Sequence, residues 1–355
     1  MSYTDIDDPT LYFNTKLYTG TGSELAITGV GFQPDWVWSK NRQEAEGHRL
    51  FDSVRGVTKF LRSNNTDAEG TAAQTLKSFD SDGVTIGTDA DMNTSSEKNV
   101  LWNWKAGTSF TNDASSTGIG TIDSTGSVNQ TAGFSIVSYT GNATDNASVK
   151  HGLNTAPKMV IIKDLSDTST WGVWHQTLTN GGYKLTLNTN SAQVDDSAFI
   201  GGSNRAIPTS SVFFLGSGGG GNGTNANIAY CFSEVKGYSK FGSYTGNGNA
   251  DGSFITTGFR PAMVILKSST SSADWELADN KRSTSGGNVI DKEVRPNSSA
   301  AETGGTDGRY IDFLSNGFKL RQAFGNWNGS GETYIYMAFA ESPFTNSSGV
   351  PNNAR

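Results

Sequence analysis

Few side chains in this sequence are equipped for chemistry near neutral pH. His48, His151 and His175 are the only histidines and Cys231 the only cysteine. The histidines are far apart in sequence. A Ser-His-Asp set can be assembled on paper, but no Gly-x-Ser-x-Gly turn marks a nucleophile. Scattered histidines make a poor metal set. A lone cysteine excludes an intrachain disulfide and a multi-cysteine zinc site. Cys231 lies in the apolar run Ile228-Ala-Tyr-Cys-Phe232 and reads as a buried thiol. Paired carboxylates such as Glu341 with Asp279 are the best enzymatic option, as in glycoside cleavage. Yet Glu234 and Glu341 both end strands at matching places, which suggests a structural duty such as pairing a lysine. The reading is a non-enzymatic chain with no cofactor and no metal.

Sugar binding asks for other residues, namely aromatic faces with Asp, Asn and Arg hydrogen bonds on a preformed surface. Trp38, Trp171, Trp174, Trp275 and Trp327 fall at or near expected strand ends or loops. Trp327, inside the turn Phe324-Gly-Asn-Trp-Asn-Gly329, is the best candidate for an exposed contact. Trp171, Trp275, Asp52 and Asp279 complete the candidate ligand-binding set. For Trp171 and Trp275, which share one place in the pattern described next, a core or inter-module position is the favoured reading and ligand contact the alternative.

These residues sit in a pattern that occurs three times. Pro34-Asp-Trp-Val-Trp-Ser-Lys40 returns as Pro157-Lys-Met-Val-Ile-Ile-Lys163 and Pro261-Ala-Met-Val-Ile-Leu-Lys267. Eight residues beyond each lysine stand His48, Trp171 and Trp275, and twelve beyond stand Asp52, His175 and Asp279. The Pro-to-Lys blocks read as strands, covered on both faces or nearly so where the apolar residues are contiguous, with lysine ending the burial. Tyr-Thr-Gly opens each module, at Tyr18, Tyr139 and Tyr244. Later come Leu61-Arg-Ser-Asn64, Leu185-Thr-Leu-Asn188 and Val294-Arg-Pro-Asn297, where the asparagine is expected to cap its own turn. Asp82-Gly83 and Asn316-Gly317 predict type I′ hairpins. That explanation covers both, whereas calcium binding at Asp80-Ser-Asp82-Gly83 would cover one. Alternating strands close the modules at Trp104, Phe232 and Phe339.

The expected fold is therefore all-β: three tandem homologous β-sandwich modules of jelly-roll or lectin-like type. They span 17–107, 133–236 and 237–344, with an N-terminal arm at 1–16, a linker or long loop at 108–132 and a tail at 345–355. Leu11, Tyr12 and Phe13 in the arm need cover, either as an added strand or on another protein. Gly216 to Gly223 reads as a long flexible loop, since no following helix or Gly-Lys-Ser/Thr supports a phosphate site.

Composition agrees with such modules. Of 355 residues, 43 are Gly and only 17% are charged, while 8 Trp, 11 Tyr and 19 Phe supply core material. The net charge of −7 disfavours a general nucleic-acid binder. Lys40, Arg42, Arg49, Arg55, Lys59 and Arg62 form a locally basic run, read as a solvated surface. Met1 to Asp8 has no signal-peptide pattern, and no apolar run is long enough to span a membrane.

With these blocks in view, the chain resembles a family of repeat proteins of marine, cyanophage-like tailed bacteriophages, described as tail-fibre or structural virion proteins. The residues carrying the resemblance are Asp7-Asp-Pro9 to Tyr18-Thr-Gly20, Gly31-Phe-Gln-Pro-Asp-Trp-Val-Trp-Ser-Lys-Asn-Arg42 and His48-Arg-Leu-Phe-Asp-Ser-Val-Arg55. Ser78-Phe-Asp-Ser-Asp-Gly83, Trp102-Asn-Trp-Lys-Ala-Gly107 and Gly331-Glu-Thr-Tyr-Ile-Tyr-Met-Ala-Phe-Ala-Glu341 add to it. It implies a virion component with a lectin-like β-sandwich, made in the host cytoplasm, and brings no catalytic residues. The expected partners are other virion proteins and host-surface polysaccharide, with a homo-oligomer such as a trimer. Attachment as a tail appendage leads. Capsid decoration, anchored through Leu11, Tyr12 and Phe13, is the alternative, and a glycan-degrading enzyme follows behind it.

Overall fold

The computed structural model describes residues 3–283, 289–304 and 310–351. The ends of the expected arm and tail, and parts of the stretch 237–344, lie outside the described residues. The fold is nearly all β, in several antiparallel sheets, with one-turn helices at Ala90–Asn93, Ala114–Thr117 and Gly325–Asn328.

Three large sheets dominate. The first has strand order Phe13–Thr19, Lys98–Trp104, Trp36–Asn41, Arg49–Asp52. At the heart of the second run Phe134–Thr140, Ala226–Phe232, Met159–Asp164 and Gly172–His175, and of the third Ser239–Thr245, Thr333–Pro343, Phe259–Ser268 and Glu276–Asp279. In each, the Pro-to-Lys strand lies between the closing aromatic strand and the strand ending at Asp52, His175 or Asp279. Its register repeats too: Val37 faces Phe51, Val160 faces Trp174 and Val264 faces Ala278. Beside each lies a smaller sheet, built on Leu25–Thr28 with Gly83–Ile86, on Ala147–Lys150 with Val212–Leu215, and on Phe254–Thr256 with Gly317–Leu320.

Successive side chains of a strand point to opposite faces, and here both faces are buried. Val37 and Leu101, Val160 and Cys231, and Val264 and Ala338 pack toward their own smaller sheets in three separate cores. The alternate residues all enter one further core: Trp36, Trp38, Trp102 and Trp104 from the first sheet, Ile161 and Tyr230 from the second, Ile265 and Met337 from the third. Trp36 stacks on Tyr230 at 4.5 Å and Phe13 on Phe339 at 5.1 Å, so aromatic rings bridge the sheets directly.

Two local devices recur. Tyr18, Tyr139 and Tyr244 each donate a hydroxyl hydrogen bond of 2.6–2.7 Å to the carbonyls of Met92, Gly221 and Trp327. The residue after each carbonyl is a buried asparagine, Asn93, Asn222 or Asn328, whose amide reaches across to two loops. In the Tyr-Thr-Gly segments a Cβ on Gly20, Gly141 or Gly246 would stand 1.7–2.3 Å from a carbonyl oxygen, so only glycine fits.

Several expectations need correction. The arm is not separate: Phe13 starts a strand that runs to Thr19 and pairs with Lys98–Trp104, and it is fully enclosed. The stretch 108–132 is no linker, because Thr108–Asn112 and Ser124–Asn129 extend the second large sheet by two strands. The hairpin turns sit one residue earlier than expected. Asp80 pairs with Gly83 and Leu314 with Gly317, leaving Ser81-Asp82 and Ser315-Asn316 as the loops. None of these four has positive φ, so type I′ is excluded. Gly83 and Gly317 are instead needed where a Cβ would meet the carbonyls of Ile27 and Ile255 at 1.9 and 2.1 Å. In the tail, Ser347 bonds Asp7 and Thr345 bridges to Pro351.

Candidate functional site

The densest constellation of polar side chains lies where the three large sheets meet. At the position eight beyond each lysine, a ring nitrogen reaches a backbone carbonyl of another sheet's region. Trp171 Nε1 donates to Arg62 at 2.9 Å and Trp275 Nε1 donates to Thr186 at 3.0 Å. His48 Nδ1 accepts from Trp38 Nε1, which leaves the proton on Nε2, and Nε2 donates to the Arg295 carbonyl at 3.0 Å. Each of these residues is fixed by its own backbone N–H, which donates to the side-chain oxygen of Asn64, Asn188 or Asn297. The expected turn-capping asparagines therefore bind a neighbouring loop instead. A second set runs the opposite way around: Glu69 N–H to Leu165, Gln193 N–H to Ser269 and Glu302 N–H to Arg42, at 2.9–3.0 Å. Both sets close into a ring.

Inside it lies the position twelve beyond each lysine. Asp52 Oδ2 takes a 2.5 Å hydrogen bond from Arg55 Nε and one of 2.8 Å from the Tyr230 hydroxyl. Asp279 Oδ2 takes a 2.5 Å bond from Arg282 Nε and one of 3.0 Å from Trp102 Nε1. Each arginine also reaches a glutamate, Glu69 or Glu302. The third member differs. His175 is accompanied by Leu178 and Gln193, and the residue matching Tyr230 and Trp102 is Met337. His175 Nδ1 meets Thr177 Oγ1 at 2.9 Å, while Nε2 makes no hydrogen bond of ordinary geometry. Burial lowers the pKa of both His48 and His175 to about 3 and of His151 to about 4.

The block lysines are buried, contrary to expectation. Lys40 Nζ donates to the carbonyls of Asn41 and Glu44, Lys163 Nζ to Asp164 and Asp167, and Lys267 Nζ to Ser268 and Asn190. Desolvation lowers each to about 8. Most of the basic run likewise turns inward, while Lys59 stays exposed and Arg62 partly so. Arg42 binds Glu302, Arg49 binds Asp91, Arg55 binds Asp52, and Lys59 and Arg62 bind Glu69 and Asp67.

All five residues expected to touch a ligand are buried. Trp171, Asp52 and Asp279 belong to the ring just described, as does Trp275. Trp327, expected to be exposed, is 1% exposed and packs against Phe324 in the core beneath the third sheet. Its one-turn helix folds under the sheet because Tyr244 and Asn328 tie down that segment. The glycosidase-like pair is not assembled either: Asp279 is held by Arg282, and Glu341 by Arg260. The arm residues divide. Leu11 is 47% exposed, Tyr12 packs edge-on against Tyr238, and Phe13 is core.

Sequence reasoning missed two acidic positions. Glu276 is buried, bonded to Arg295 and Asn326, and its carboxyl is held well above the usual range by burial and the nearby Glu293. Asp35, next to the first block proline, accepts from Ser53 Oγ and the Ala106 N–H, and burial raises its pKa. Glu276 starts a strand and Asp35 immediately precedes one, places where an acidic residue is ordinary, so nothing in the sequence set them apart. Among the described residues no group of three or more His, Cys, Asp or Glu is arranged to hold a metal ion, and no helix is long and apolar enough to cross a membrane.

Fold and site together define an all-β protein whose most elaborate polar network holds sheets to one another. The chain belongs to the family described as "Domain of unknown function (DUF7483)", whose model matches residues 8–343. No curated protein and no solved structure matches the chain.

Proposed function

We propose that this is a non-enzymatic structural protein of a tailed-phage particle, in which three homologous β-sandwich modules close on one another as an intrachain pseudo-trimer. The observation that carries the reading is the closed ring. His48, Trp171 and Trp275 each bind the region of a different sheet, and no sheet is left over. A chain that satisfies its own threefold contacts suits a threefold axis in an assembly, where closed symmetry is the general expectation. Burial of nearly all catalytically useful groups in ion pairs and carbonyl cages further supports a structural duty. Within the particle a tail appendage that contacts host-surface polysaccharide is the leading placement.

Electron microscopy of intact particles carrying an epitope-tagged copy of this chain tests the placement. Label on the tail appendage is expected. Label confined to the capsid shell favours decoration instead, and absence of the chain from purified particles overturns the virion reading.

A further inference from the structure

Since the tryptophans are inside, a sugar-binding surface has to be found elsewhere. Two adjoining depressions, each of about 370 Å3, share the residues Thr111 and Thr125 and so form one trough along the hairpin that extends the second large sheet. That volume lies in the range of roughly 300–1,000 Å3 usual for small-molecule sites. One end is built against the first sheet's region, where Asp35 and Ser53 form the wall. Asp113 and Asp123 line the other end.

The register explains the lining. Thr111 faces Thr125, and Thr125 faces Ser138, which sets three hydroxyls in a row across three strands. Ser109 shares that face one row along. Neighbouring strands are about 4.8 Å apart, so the row presents a hydroxyl on each successive strand across the sheet. Ser109, Thr111 and Thr125 are exposed, and their hydroxyls take no hydrogen bond among the described residues. No Lys, Arg or His lines either depression, so the only charged groups a phosphate, sulfate or sugar acid would meet are carboxylates.

We propose that this trough binds a neutral oligosaccharide, with Thr111 and Thr125 at its centre and Asp35 as a buried wall that fixes the end against the first sheet. The inference rests on the attachment reading above and gives it a place.

The test uses the full chain on a printed array of neutral and acidic oligosaccharides, with Thr111→Val/Thr125→Val compared at equal melting temperature. Selective retention of neutral glycans, weakened at least tenfold by the double variant, is the expected result. Retention of neutral glycans that is unchanged in the variant overturns the trough but leaves glycan attachment standing. Retention of acidic glycans alone overturns the trough on grounds of charge. If the native chain binds no glycan, the trough and the host-attachment half of the proposed function both fall, while placement in the particle is judged separately by microscopy. Should the double variant melt lower, Thr111→Ser/Thr125→Ser, which keeps the hydroxyls, must restore both melting temperature and retention; recovery of the fold without recovery of binding counts against the proposal.

Discussion

Two kinds of junction hold the large sheets together, and their difference shows how a buried charge is tolerated. Where Tyr230 or Trp102 projects from one sheet, the neighbour offers Asp52 or Asp279, each paired with an arginine. Where Met337 takes the corresponding place, the aspartate is replaced by His175 and the arginine by Leu178. A buried carboxylate needs donors, and a methionine has none to give. The acceptor, its counter-ion and the facing donor have changed together. The histidine that remains is neutral, so the junction does without an ion pair, an exchange that buried salt bridges often permit at little cost.

The largest expected effect breaks one charged junction. Asp279→Ala leaves Arg282 buried without its main partner and is expected to cost about 3–5 kcal/mol in urea unfolding, and Asp52→Ala a similar amount. His175→Ala is expected to cost clearly less. Equal losses at all three positions would remove the distinction between the junctions.

The converse exchange comes next. His175→Asp alone places an uncompensated carboxylate beside Leu178 and is expected to destabilise by about 3 kcal/mol; adding Leu178→Arg and Met337→Trp should recover at least half of it. Additive losses across the triple variant would show that the three positions do not act as a unit.

Acid should act on the three buried histidines, of which His175 stands at the uncharged junction. Their pKa values are about 3 for His48 and His175 and about 4 for His151 in the folded chain, against about 6.5 when unfolded. The unfolded chain therefore binds more protons, and stability falls as pH drops from 6.5 toward 3. The lysines have the same sign at the other end of the scale. With folded values of about 8 against about 10.4 unfolded, stability rises as pH climbs through that interval. Denaturant midpoints across pH 4–10 check both slopes, and a flat profile over pH 8–10 contradicts the carbonyl-caged lysines.

The smallest effect concerns the outer ring. Trp171→Phe and Trp275→Phe each remove one indole-to-carbonyl hydrogen bond while keeping most of the ring, for an expected loss of about 1–2 kcal/mol. Thermal melts resolve that difference, and a neutral result would make those bonds incidental to closure.

The strands, the order of the blocks and the pairing of Val37, Val160 and Val264 were legible because hydrophobic alternation and equal spacing are local signals. The contiguous apolar residues Val160-Ile-Ile162 also announced a strand covered on both sides. What covered the second side was not legible. It is supplied by residues more than a hundred positions away, as Tyr230 is for Asp52, and no periodicity records such a distance. The same blind spot placed Trp327 outside, because tryptophan near a turn looks alike whether it meets solvent or the core beneath a sheet. The lysines misled for a related reason. A charge at the end of an apolar run normally marks the surface, but the chain turns back and cages Lys40, Lys163 and Lys267 in its own carbonyls.

One measurement bears most directly on whether the three sheets share a core. Calorimetric melting of the full chain is predicted to give a single transition whose calorimetric enthalpy equals its van't Hoff enthalpy, because none of the sheets can separate without exposing Trp36, Tyr230 or Phe339. Two or three resolved transitions, each with its own enthalpy, would contradict the closed ring.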